Sequence, residues 1–190
     1  MRSFLAGLTT AAIAWSGCGG SDDKTAGGQR STTSAAEAPG APAGRCPDGT
    51  KPVTAKELVP DPAPGYSLAP SDPAAIKPIV TQFKTALGDR WRGHDAKVLA
   101  RDGASNGTLL LVVNSSEKTG GNDDIVSGML KSANARGYKT EPITVRGQET
   151  RLSETADDSY VTVAAAGECA AVMVLATSEK ELRGAVKQIG

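Results

Sequence analysis

The sequence is poor in the residues that catalysis and recognition usually draw on. It has one histidine in 190 residues, which leaves little for His-based metal sites or general-base catalysis. Aromatic residues make up 4% of the chain, too few for stacking platforms against bases or sugars. Neither sign of charge is in excess. The 21 Lys+Arg balance 21 Asp+Glu, which removes the basic stripe expected of a nucleic-acid binder. Three cysteines are too few for a disulfide-dense mini-protein, and no C-x-x-C pair is present. No cofactor is implied by any motif.

What the sequence does have begins at its N-terminus. Arg2 supplies one positive charge, and Phe4 to Trp15 is an apolar run of signal-peptide length, short for a bilayer span. Ser16-Gly17-Cys18 follows. Trp15-Ser16-Gly17-Cys18 resembles the lipobox of bacterial lipoproteins, in which a small residue pair precedes a cysteine. The resemblance covers the N-terminal tenth of the chain. It implies cleavage before Cys18, a diacylglyceryl thioether on that cysteine, palmitate incorporation, and attachment to the cell membrane or outer envelope, facing outside the cytoplasm. Two other readings stay open. Ala12-Ile13-Ala14 satisfies the A-x-A rule of an ordinary secretory signal cut before Trp15, and the run could also remain uncleaved as an anchor. Gly19 to Arg45 contains no Val, Ile, Leu, Phe, Tyr or Trp, so it cannot bury a core. It reads as a disordered tether, and random-coil scaling gives it roughly 30 Å of reach. Two acyl chains make a stable anchor where one would be marginal.

With Cys18 set aside, Cys46 and Cys169 remain. Outside the cytoplasm an even pair reads as a disulfide, here enclosing most of the domain; two unpaired thiols are the alternative.

The organisation is thus residues 1–17 signal, 18–45 tether and 46–190 one domain, with 46–73 a proline-rich strap anchored by Val59, Tyr66 and Leu68. Ile76, Ile79, Val80, Phe83 and Leu87 mark a helix starting at Asp72 or Lys77, with Pro78 in its first turn. Ala96–Arg101 and Thr108–Asn114 read as strands around a turn-rich loop. A second helix is expected over Asn122–Arg136, with Ile125, Val126, Met129, Leu130 and Ala133 on one face. Strand signals recur over Thr140–Ser153, interrupted at Arg146-Gly147-Gln148, and over Tyr160–Ala166 and Ala170–Thr177. Ser178 to Glu181 spell a capping box for a last helix that buries Leu182, Ala185, Val186 and Ile189. The expected fold class is α+β, in the order α-β-β-α-β-β-β-α. It has an antiparallel sheet of about five strands with helices packed on one face.

Several motifs fail as chemistry. Gly103-Ala104-Ser105-Asn106-Gly107 matches G-x-S-x-G, but a strand follows the serine where the nucleophile elbow needs a helix, and His94 precedes it. Gly120-Gly121 before Asp123 and Asp124 could cradle phosphate only against two like charges, and no G-K-[ST] or EF-hand spacing is present. His94 beside Asp95 are loop neighbours that seldom face each other. Trp91, the one tryptophan left after signal removal, is the candidate binding residue; its simpler role is a helix-to-strand connector whose ring covers a sheet edge. These readings lead to a membrane-anchored, non-enzymatic binding module of the cell envelope, with an envelope protein or lipid as partner and no nucleic acid. A carrier of a lipid or small apolar ligand is the alternative. An enzyme with an unrecognised site is the third.

Overall fold

The computed structural model describes residues 45–102, 107–119, 128 and 136–189. The expected lipobox, most of the tether, Ser105, the Gly120–Asp124 loop and nearly all of the expected helix Asn122–Arg136 lie outside the described residues.

The strap is not merely extended. Thr54 accepts from the Glu57 N–H at 3.3 Å, and the Glu57 carboxylate accepts from the Thr54 N–H at 2.8 Å. This reciprocal cap starts a one-turn helix, α1 (Ala55–Leu58). The chain then forms β1 (Tyr66–Pro70). Val59 is buried, while Tyr66 and Leu68 pack against the core from this strand. The helix α2 (Pro73–Leu87) begins one residue after Asp72, whose carboxylate caps the Ala74 N–H at 2.9 Å. Pro73 takes the first-turn position, so Pro78 falls inside the helix rather than in its first turn. A single 3-10 turn (Gly88–Arg90) leads to β2 (Trp91–Arg101). The polar stretch expected as a connector is therefore the first half of a strand.

Next come β3 (Gly107–Ser115), β4 (Lys139–Val145), β5 (Gln148–Glu154), β6 (Tyr160–Gly167) and β7 (Ala170–Ala176), then α3 (Glu179–Ile189). Arg146 and Gly147, with φ of 52° and 73°, make the two-residue turn that splits the expected 140–153 stretch into β4 and β5. Ser178 accepts from the Glu181 N–H at 3.3 Å, and the Glu181 carboxylate accepts from the Thr177 hydroxyl at 3.0 Å. Leu182, Ala185, Val186 and Ile189 are buried, as the spacing indicated.

The seven strands form one antiparallel sheet in the order β1-β2-β3-β7-β6-β5-β4. The α+β character stands, but two details of the expectation are corrected. Among the described residues there are seven strands, not about five, because β1 emerges from the strap and 140–153 is a hairpin. The helices also pack on both faces. Leu110, Val112, Val172 and Val174 point to the side of α1 and α3. Leu111, Val113, Ala171 and Met173 point to the side of α2, against Phe83 and Leu87. Successive strand residues alternate faces, so the unbroken apolar runs of β3 and β7 require cover on both sides.

Cys46 and Cys169 form a disulfide with Cα atoms 6.1 Å apart and a sequence separation of 123. Closing a loop of that size removes unfolded-state entropy worth about 5 kcal/mol on the chain-entropy model. Replacing both cysteines with serine is expected to lower unfolding stability by about 2–5 kcal/mol in denaturant titrations. Non-reducing thiol alkylation of the unsubstituted chain should label neither Cys46 nor Cys169.

Candidate functional site

The sheet gathers its polar chemistry at two places. The first is the end where the strap enters. Cys46 N–H donates to the Ser116 carbonyl at 2.8 Å, and Ser116 N–H donates to the Arg90 carbonyl at 2.8 Å. Arg45 bridges to Glu117. The buried side chain of Asn114 imitates a strand partner for the strap, accepting from Val53 N–H at 2.8 Å and donating to its carbonyl at 3.1 Å. Asp95 accepts from Ala55 N–H at 2.8 Å, tying α1 to β2. The Arg90 guanidinium caps the end of α2 through the carbonyls of Ala86 and Leu87, and it reaches Glu117 at 3.4 Å.

Trp91 stands at this end, paired in register with Ser115. Residues three apart on a regular strand face opposite ways. Here the register shifts between Trp91 and Gly93, and Gly93 takes a φ of 121° that suits glycine. The extra residue turns Trp91 and His94 to the same face, with ring centroids 5.7 Å apart and planes tilted by 40°. Trp91 is half-buried against the α2 cluster, while Arg92 and His94 are exposed. Asp95 turns to the opposite face, toward α1, so the adjacent His94 and Asp95 form no acid–base pair. The β1 pairing stops at Lys97, so the Trp91–Ala96 half of β2 has no strand on its outer side among the described residues.

The second place was missed by sequence reasoning. A cavity of about 650 Å³ opens between the edge strand β4 and α3, lined by Pro142, Ile143, Glu149, Arg183, Val186 and Lys187 among others. Its mouth holds an ion-pair group, in which Arg183 Nε donates to Glu179 at 2.6 Å and a second guanidinium nitrogen donates to Glu141 of β4. The i,i+4 spacing of Glu179 and Arg183 was readable on a helix. The Glu141 partner, 42 residues away, was not. The Arg183 hydrogen bond holds the Glu179 carboxyl below the usual glutamate range, and Arg183 is raised in turn, chiefly by Glu179. Partial burial, then the Glu154 charge, raise the Tyr160 phenol, whose hydroxyl lies 3.2 Å from that carboxylate. Ile143 and Val186 at the cavity floor are 8% and 9% exposed, so little apolar surface is left for a ligand. Pro142 sits mid-strand on this edge, where a residue without an N–H is tolerated and discourages a further strand.

A folded-state carboxyl below its unfolded value adds stability above the unfolded pKa and loses it as pH falls through the folded one. Carboxyl NMR titration should therefore place the Glu179 midpoint below the ordinary glutamate range, and Arg183→Gln should move it up. The stability gap between the two proteins should close on acidification through that range.

Set against models of protein families, curated proteins and solved structures, the chain matches none of them, so its functional reading rests on its own residues.

Proposed function

We propose that the chain is an exported lipoprotein. Residues 1–17 are its signal, Cys18 carries the lipid, residues 18–45 are the tether, and the domain from Cys46 onward is a non-enzymatic binding module of the cell envelope. The observation that carries this reading is the Cys46–Cys169 disulfide. Such bridges persist in oxidising compartments, which export supplies. The bridge takes two of the three cysteines, and the third, Cys18, is the one that follows the apolar run and the small Ser16-Gly17 pair. The chemistry of the sheet end supports binding over catalysis, because its polar side chains are spent on backbone groups: Asn114 on Val53, Asp95 on Ala55 and Arg90 on the end of α2. Packing favours a surface binder over a carrier holding its ligand between sheet and helix. Leu110, Val112, Val174 and Leu182 fill that layer beneath α3 with no exposed area.

Metabolic labelling with palmitate tests the anchor. The wild-type chain is expected to take up label and to sediment with membranes. Cys18→Ser should lose the label and shift toward the soluble fraction, and unchanged labelling would refute the reading.

A further inference from the structure

We infer that the bulged start of β2, Trp91 to His94, is the surface by which the domain rests on the bilayer that anchors it; this builds on the lipoprotein reading above. The ligand is the phospholipid headgroup layer itself.

Position is the first support. The described residues begin at Arg45, and from there a short relay of backbone contacts reaches Trp91. Arg45 bridges to Glu117, Cys46 bonds to Ser116, Ser116 bonds to Arg90, and Trp91 pairs with Ser115. The tether and the bulge therefore leave the same end of the sheet. The 27 residues from Gly19 to Arg45 hold the domain within roughly 30 Å of its lipid. At that distance a contact too weak to act between free molecules becomes an intramolecular one and is populated.

Residue chemistry is the second. Tryptophan pairs a flat apolar body with one N–H donor and concentrates at the headgroup level of membranes. Trp91 is the one tryptophan of residues 18–190. The bulge sets His94 beside it on the same face. Arg92, between them, is exposed. Its guanidinium rests on the carbonyls of Asp89 and Trp91 at 2.9 and 3.0 Å, and among the described residues no carboxylate pairs with it. A phosphodiester can take the remaining donors. Residues 46–190 hold 17 basic and 18 acidic residues, so net charge does not draw the domain to a membrane, and specific residues must do so. Among the described residues no strand pairs with the outer side of the Trp91–Asp95 segment, which leaves room for that approach.

The test uses the mature lipidated chain, purified from membranes and reconstituted into vesicles of phosphatidylcholine and phosphatidylglycerol, with or without brominated acyl chains. With Trp15 removed, all tryptophan emission comes from Trp91. The expected result is quenching by the brominated lipids, a blue-shifted maximum, and loss of quenching by aqueous iodide relative to detergent solution. Arg92→Glu, an exposed substitution that keeps Trp91 as the probe, should reduce the bromolipid quenching. Equal emission from brominated and plain vesicles overturns the inference, as does quenching that Arg92→Glu leaves unchanged. A purified chain without covalent lipid would overturn the lipoprotein reading and this inference together. A lipidated chain whose Trp91 stays unquenched overturns only this one.

Discussion

The pairing of β3 with β7 is the constraint on which the rest of the structure depends. Leu110 lies opposite Val174, Leu111 opposite Met173 and Val112 opposite Val172. Leu109–Val113 of β3 and Ala170–Ala176 of β7 are apolar at every position, so both faces of the pair must be removed from water. Each fully buried aliphatic side chain contributes about 1.5–3 kcal/mol, and a one-residue slip would exchange the two faces. The helices follow from this. α3 covers one face with Leu182, Ala185, Val186 and Ile189, and α2 covers the other with Phe83 and Leu87. The remaining strands extend the central pair on each side.

The same pair sets the position of the polar end. Ser115 closes β3, and its N–H donates to the Cys169 carbonyl at 2.9 Å. That brings the β6–β7 turn, the entering strap and the start of β2 to one place. The disulfide, Asn114 and Asp95 each tie a piece of the strap to this end. A bulge there is tolerable because, among the described residues, no strand pairs with the outer side of β2 beyond Lys97. It re-aims two rings at little cost to the ladder. The β4–α3 ion pairs play the opposite part. They hold the far edge of the sheet to α3 through Arg183, whose side chain is 41% exposed. Pairs so exposed stabilise modestly and yield to acid or salt.

Much of the fold was legible because its signals are local. The four buried residues of α3, the apolar run of β3 and the β6–β7 hairpin all follow from caps, spacing and turn residues within a few positions, whereas the start of α2 stayed open between Asp72 and Lys77. The strap misled because seven prolines between Cys46 and Pro73 mask a capping box at Thr54–Glu57 and a five-residue strand at Tyr66. The expectation that helices share one face failed because face is a property of the assembled sheet. Trp91 stands out in the sequence by its rarity, while its encounter with His94 needed the bulge. His94 and Asp95, read as loop neighbours, lie on β2, where adjacent side chains turn to opposite faces.

Taken alone, the sequence determined the segments and their chemistry. It contains an apolar N-terminal run from Phe4 to Trp15, a stretch from Gly19 to Arg45 with no large apolar side chain, a near-zero charge balance, and helices and strands whose periods are written within ten or fifteen residues. The tertiary structure alone decided which strands are neighbours, that Arg183 reaches Glu141, and that Trp91 stands at the end of the sheet where Arg45 enters. Each of these joins residues far apart in the chain. Such contacts leave no local signature, because they arise from burying both faces of one central strand pair at once.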